Sequence, residues 1–410
     1  MISTASARAD EPLLAGVTVV DFTRVLSGPY GTRMLADLGA RVIKIERPGE
    51  GDEIRHTVLQ LDPKRTDQSS YFARLNAGKQ SIAIDLAHPQ ARDVVLDLVR
   101  SADVVVENFS PGVMARYGLD HVSLRSLRPE LIYCAISGFG QTGPFSSMQA
   151  YAHLINAISG MMDLDRGDEA KPRVAYLQAA DVLAGAHAFG SICAALVRRA
   201  RSGSGAYLDV SMLECLVAAD DITYGALLNG GTVLRQPRIG MIVHPIGGRY
   251  VAVQSAGAPH LWSRLVALIG RPELETDARF ATPMARRTNW PELLQILRHW
   301  LDGFDSVDQA VETLSRGRIP AVPVLSPEEV VEHPQLAARS AFPEIDHPGR
   351  GRVRVTALPF HVDGAPVAPG GPAPYRVGQH TRQVLTEIGY SAERIKALQS
   401  LHVIEVPDQN

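Results

Sequence analysis

The chain has 410 residues, 41 of them Lys or Arg and 44 Asp or Glu, for a formal net charge of −3. That near-balance supplies no basic excess for a phosphate backbone, which excludes nucleic acid as a partner and leaves a small molecule or another protein. Cys134, Cys193 and Cys215 stand far apart without a CxxC, arguing against a disulfide framework or a zinc site, and no stretch nears ~20 uninterrupted apolar residues, arguing against a membrane span.

Residues 1–10 are small and polar, lack the apolar core of a secretion signal, and are expected to be disordered in a cytoplasmic protein. VTVVDF (17–22) reads as a strand, 28–39 as a helix closed by Gly39, and RVIKIE (41–46) as a second strand, a βαβ opening. Then come SIAIDL (81–86), a helix from about residue 88 with Val94, Val95, Leu98 and Val99 on one side, DVVVENF (103–109) and LIYCAISGF (131–139). Strands this apolar, separated by helices, predict a parallel sheet covered on both faces. Helices over 151–160 and 179–201 and a strand AYLDVSM (206–212) complete a large α/β domain over 11–222.

From about 223 to 248, Gly, Pro and Arg replace periodicity and mark a domain boundary. A smaller domain, 223–330, is expected to hold the strand RYVAVQS, amphipathic helices carrying Trp262, Trp290 and Trp300, and IPAVPVLS (319–326), which its prolines confine to a sheet edge. Residues 331–410 read as a hairpin over 344–364, a Pro/Gly spacer APVAPGGPAPY and a terminal helical segment. That tail is expected to wrap back over the large domain or a partner chain.

Several motifs carry chemistry only in context. GFGQTG (138–143) follows a strand and matches GxGxxG, but Pro144 and a polar pair follow and no helical period starts before about 149, so dinucleotide binding is not expected. In VVDFTRVLSGPYGTRML, a strand leads through small residues into a helix whose first amides would face an anion. Arg47 and Arg55 follow the second strand, and taken singly they read as solvated. No GxSxG elbow and no HExxH is present, so neither a serine nucleophile nor a metal site is expected, and His153 and His187 read as packed, hydrogen-bonded histidines. Asp181 opens the apolar helix 179–201, where the only other acidic or basic side chain before Leu196 is His187. Taken alone it reads as a helix N-cap, or as a carboxylate kept for chemistry.

VVDFTRVLSGPYGTRMLADLGARVIKIERPGEGDEIR, NAGKQSIAIDL, DVVVENFSPGVMARYGL, SGFGQTGP, AYAHLINAISG, AADVLAG and RSGSGAYLDVSM together resemble the class III CoA transferases. That family spans formyl-CoA, carnitine and dicarboxylate CoA transferases and the related 2-methylacyl-CoA racemases. The match covers nearly all of the large domain; LVALIGRPEL and RIPAVPVLSPEEVVEHPQL extend it more loosely. The resemblance implies a doubly wound, Rossmann-like large domain with a smaller α+β domain, in an interlocked homodimer. It implies an enzyme that takes acyl-CoA as substrate, holds no permanent cofactor, and passes CoA to a carboxylic acid through an aspartyl mixed anhydride and an aspartyl-CoA thioester.

The nucleophile of that family matches Asp181, and its CoA-binding positions match Arg47, Lys79, Asn108, Phe109 and Arg116, with Tyr151 counted among them. Leu26 stands at a substrate-facing position where relatives often carry glutamine or alanine. The long glycine run of the formyl-CoA enzymes is reduced to the pairs Gly230, Gly231 and Gly247, Gly248, so an acceptor larger than oxalate is expected, a small dicarboxylate or hydroxy acid, with Arg238, beside Arg235, neutralising its far end. The alternatives are a racemase or epimerase, or a CoA-ester-binding protein without chemistry. Racemases pair a histidine with the aspartate; aligned on Ser159 and Gly160, Tyr151 takes that place, and His153, two residues on, would point about 200° away on a helix.

Overall fold

The computed structural model describes residues 11–166, 171–220, 223–233, 240–255 and 259–408. The chain divides into two compact units, the first made of residues 1–163, 173–231 and 335–410, the second of 164–172 and 232–334.

In the first unit β1 (Thr18–Asp21), α1 (Ser27–Asp37) and β2 (Arg41–Glu46) are followed by α2 (Ser70–Asn76), β3 (Gln80–Ile84), α3 (Ala91–Val99) and β4 (Val104–Glu107). Next come α4 (Val113–Arg116), α5 (His121–Leu127), β5 (Ile132–Ser137), α6 (Ala152–Ile158), α7 (Met161–Asp165), α8 (Ala179–Ser202) and β6 (Ala206–Ser211). The six strands are parallel in the order β3-β2-β1-β4-β5-β6, and a two-residue strand, Ile404–Glu405, joins β3 antiparallel at the edge. Strand order therefore reverses between β1 and β4, and a doubly wound sheet opens its ligand crevice beyond the carboxyl ends of the strands at such a point.

Period-two alternation explains both faces. Val20, Ile43, Ile45, Ile82, Ile84 and Val105 turn to one side, where Val94, Val95, Leu98 and Val99 of α3 meet Val384 and Leu385 of the C-terminal segment. Val19, Val42, Val104, Val106 and Ile132 turn to the other, against α1 and the small side chains Ala180, Ala184, Ala188 and Ile192 of α8. Each large apolar side chain contributes roughly 1.5–3 kcal/mol. The small residues of α8 matter through shape instead. A Cβ on Gly185 would overlap the Ser27 carbonyl oxygen and sit 3.1 Å from the Tyr30 ring, and one on Gly31 would lie 2.6 Å from the Gly185 carbonyl oxygen. Only glycine at both places lets α1 and α8 approach this closely. α8 ends at Gly203, whose φ of +71° closes the helix left-handed. By length and composition alone α8 would pass as a membrane span; here it is the main helix against α1 and the β5–β6 side of the sheet.

The 344–364 segment forms two small hairpins, Glu344–His347 with Gly351–Arg354 and His361–Val362 with Ala365–Pro366. The second unit has a three-stranded antiparallel sheet in which Ala321–Pro323 is an edge beside Arg249–Gln254, as its prolines require. Its core gathers Trp262, Phe280, Trp290, Leu293 and Leu297. Gly247 and Gly248, at φ +56° and +80°, form the turn between Met241–Ile246 and Arg249–Gln254.

Candidate active site

Asp181 is not an N-cap. Gln178 occupies that position without a side-chain capping bond, and Asp181 lies in the first turn of α8. The Ser27 amide and hydroxyl, at the start of α1, face its carboxylate and favour its charged form, so the anion at the start of α1 is this side chain itself. Burial raises the Asp181 carboxyl, and with the Ser27 donors and the nearby His153 imidazole pulling the other way it still stands at about 6. At neutral pH it is mostly ionised and poorly hydrated, the state in which a carboxylate attacks a thioester carbon without a general base. Tyr71 is a second neighbour: burial and the charge of Asp181 raise its phenol to about 12, keeping its hydroxyl protonated, 3.3 Å from Gln178 Oε1.

The Ser27 donors are set by an unusual loop. Between β1 and α1, Val25 adopts φ +65°, which costs a β-branched residue conformational energy and persists only when neighbours impose it. On one side the Val25 amide donates to Asp52 Oδ1 at 3.2 Å, and Asp52 is paired with the fully buried Lys44 at 2.9 Å. On the other, Asn108 Oδ1 accepts from the Arg24 amide at 2.9 Å while its Nδ2 donates to the Arg24 carbonyl at 2.8 Å and to Ser27 Oγ at 3.1 Å.

The same loop borders a pocket of 730 Å³ over the carboxyl ends of β1, β2, β3 and β4, lined among others by Arg24, Arg47, Leu86, Phe109 and Tyr117. Its volume and position suit a nucleotide-sized ligand. Arg47 lies at the rim, exposed and paired with Glu50 at 3.1 Å. The Arg24 guanidinium, which sequence reasoning passed over, stands 5.3 Å over the Phe109 ring. Arg116 is exposed on α4, between the lining residues Val113 and Tyr117.

Other positions are placed differently from their expected roles. Lys79 lies outside this pocket: it is fully buried beneath β1, bonded to Asp21 at 3.0 Å, Thr32 at 2.8 Å and Asn76 at 2.9 Å. Burial pushes the Asp21 carboxyl up, but Lys79 and Lys44 more than offset it. Arg55 is not solvated. It is buried, doubly bonded to Glu46 at 2.7 and 2.8 Å, and stacked 3.7 Å over Phe72. The Asn108 side chain clamps the 24–27 loop, and Leu26 packs its side chain into a cluster with Ile54, Phe72 and Leu75. Tyr151 is exposed. Arg235 and Arg238 lie outside the described residues.

The two histidines are exposed rather than packed, and His187 spends Nδ1 on the Leu183 carbonyl at 2.8 Å. His153 is the one in electrostatic reach of Asp181. The helical offset from Tyr151 fails because Tyr151 is the extended residue before α6, with φ −136° and ψ +154°, and α6 begins only at Ala152. In GFGQTG, no helix starts before Ala152; the loop wraps Asp209, which accepts from the Gln141 amide at 3.0 Å.

Comparison with known proteins gives one answer. A succinate–glutarate CoA-transferase of Agrobacterium fabrum is 34% identical over 92% of this chain and 96% of its own. An acetyl-CoA:oxalate CoA-transferase of Acetobacter aceti is 37% identical over 83% and 87%. A crystal structure of a CAIB/BAIF family protein from Brucella suis superposes with a TM-score of 0.78 at 31% identity, over 92% of this chain and all of that one. The family model described as CoA-transferase family III matches residues 14–381, and with the doubly wound sheet and the half-buried aspartate already in place, the chain belongs to that family of CoA-transferring enzymes.

Proposed function

We propose that this enzyme moves CoA from an acyl-CoA to a small dicarboxylate, with Asp181 as the covalent carrier. The observation that carries the reading is the half-buried Asp181 carboxylate, faced by two Ser27 donors one short loop away from a nucleotide-sized pocket. Asp181 attacks the thioester carbon, giving a mixed anhydride and CoA thiolate. The thiolate attacks the aspartyl carbonyl and releases the donor acid, leaving aspartyl-CoA; the acceptor carboxylate then repeats the two steps in reverse. No proton is transferred, which suits a site built around hydrogen-bond donors.

Arg24, Arg47 and Arg116 supply cations for the CoA phosphates, and Phe109 a face for the adenine. Lys79 is left out, since its ammonium is fully occupied within the fold. The named substrates of the relatives support a dicarboxylate acceptor, and similarity does not separate oxalate from longer diacids, at 37% and 34% identity. The shortened glycine run favours an acceptor larger than oxalate. A homodimer fits the apolar side chains that the single chain leaves open, with Leu154, Ile158, Tyr176 and Leu177 at 56%, 47%, 102% and 64% exposure.

Intact-mass analysis after mixing with succinyl-CoA tests the carrier: wild type gains the mass of CoA less one water, and Asp181→Ala gains none and does not turn over. A panel of oxalate, malonate, succinate, glutarate, malate and a monocarboxylate ranks the acceptors, and a preference for the monocarboxylate would overturn the dicarboxylate reading. The place of His153 near Asp181 gives an epimerase activity one specific support, so the α-proton of a 2-methylacyl-CoA is followed in D₂O; transfer without exchange is expected.

A further inference from the structure

We infer that Ser27 is a catalytic residue of this site, its amide and hydroxyl forming the oxyanion cradle for the aspartyl carbonyl, and that Asn108 is the residue that aims the hydroxyl. The inference rests on Asp181 being the covalent carrier.

When CoA thiolate attacks the mixed anhydride at the aspartyl carbon, the new S–C bond forms as the carbonyl π pair moves onto an Asp181 oxygen. When that pair returns, the C–O bond to the acyl carboxylate breaks and the donor acid leaves with its electrons. The negative charge therefore develops on an oxygen that belongs to Asp181 and not to the substrate, and it develops again when the acceptor carboxylate attacks aspartyl-CoA. Donors that serve these two steps must already face the aspartate in the resting enzyme, and the Ser27 amide and hydroxyl do. They bind a full carboxylate charge at rest and a concentrated alkoxide charge at the tetrahedral stage, while the neutral ester-like carbonyl between them binds less strongly. That is differential stabilisation of the charged species.

The cradle is held by two features. α1 reaches Asp181 because Gly185, one turn beyond the aspartate, has no Cβ to strike the Ser27 carbonyl. The hydroxyl has one proton and two lone pairs, and its direction is fixed by whatever occupies those lone pairs. The Arg24 amide donates to the Asn108 side chain, which identifies the accepting atom as Oδ1 and leaves Nδ2 facing the Arg24 carbonyl and Ser27 Oγ. An N–H pointing at Oγ forces the hydroxyl proton elsewhere, toward the Asp181 carboxylate that Ser27 faces. Asn108 thus acts through Ser27.

The test uses Ser27→Ala, Asn108→Asp and Asn108→Ala beside Asp181→Ala, each checked for a native circular-dichroism spectrum and a cooperative melt. Ser27→Ala keeps the amide and loses one of two donors, so kcat is expected to fall about 10²–10³-fold with little change in KM for the acyl-CoA. Asn108→Asp keeps the shape but places an acceptor where Nδ2 stood, turning the Ser27 proton away; its kcat is expected to fall by as much, and that of Asn108→Ala by less. A merely structural role would not move the acid limb of the kcat/KM profile, whereas loss of the hydroxyl's bond raises that limb by about one pH unit in Ser27→Ala and Asn108→Asp alike. If Asp181→Ala still gains CoA mass, the carrier assignment falls and the inference with it. If Asp181→Ala is inert while Ser27→Ala keeps wild-type kcat and acid limb, the inference alone falls. Unchanged rates in both Asn108 variants beside a slow Ser27→Ala would remove Asn108 from the account.

Discussion

Replacing Asp181 by asparagine is expected to stabilise the protein at neutral pH. In the folded chain, burial raises the carboxyl from an ordinary value of 3.8 to about 6, even with two Ser27 donors in place. A rise of that size corresponds to about 3 kcal/mol, because each pKa unit is worth about 1.4 kcal/mol. A carboxyl whose folded pKa is raised gives its full contribution below the unfolded value and loses it as pH rises through the folded one. The wild type is therefore penalised at pH 7 to 8, the penalty shrinks between about pH 6 and 4, and it vanishes below about pH 4. Asparagine is neutral throughout and its carbonyl oxygen still accepts from Ser27, so variant minus wild type isolates the titration. Thermal melts in matched buffers should show Asp181→Asn higher by about 4–6 °C at pH 8, at roughly 2 °C per kcal/mol for a unit of this size, with the gap closing by pH 4.5. A gap that stays constant with pH, or a variant less stable at pH 8, would refute the argument that the site holds its aspartate against desolvation. In the wild type, activity should fall along an acid limb near pH 6, since the protonated carboxyl is not a nucleophile.

Arg24→Ala and Arg47→Ala should each raise KM for acyl-CoA about tenfold with kcat nearly unchanged, the lower end of what a charge-assisted contact at an exposed rim contributes, and steady-state kinetics at two salt concentrations check this. Lys79→Met should leave KM alone and instead strand the buried Asp21 carboxylate, costing about 3–5 kcal/mol in a denaturant titration. A raised KM in a stably folded Lys79→Met would return that lysine to the CoA site. Gly185→Ala should press a methyl group onto the Ser27 carbonyl and lower kcat at least tenfold by moving the donors off Asp181, and wild-type turnover would show that the helices part without consequence.

The layered α/β plan was legible because apolar strands such as residues 103–109 alternate with amphipathic helices, a pattern only a two-sided parallel sheet satisfies. Asp181 was legible as a lone acid in an apolar helix, although its capping alternative fell to a one-turn shift in where the side chain sits. Burial of cations was not legible. Lys79 and Arg47 are both basic residues near strand ends, and only the packing of β1 over Asp21 decides that one is enclosed and the other solvated. The Ser27 donors escaped for a related reason: a serine in a small-residue turn has no sequence mark until Val25 takes a positive φ and Gly185 admits the approach of α1. The strand Ile404–Glu405 is too short to show any period.

That two-residue strand imposes an order of assembly on the newborn chain. During synthesis, β6 leaves the ribosome long before residues 381–405, with residues 232–334 of the second unit translated in between. At roughly 5–20 residues per second, the β3 edge and the apolar face awaiting Val384, Leu385 and Ile404 stay uncovered for about 10–40 s after β6 is complete. An open edge of that kind is a template for pairing with other chains, so the nascent protein is exposed to intermolecular strand pairing for that interval. Lesions in residues 381–405 will accordingly show as aggregation of newly made chain, while molecules that do mature retain their catalytic rate.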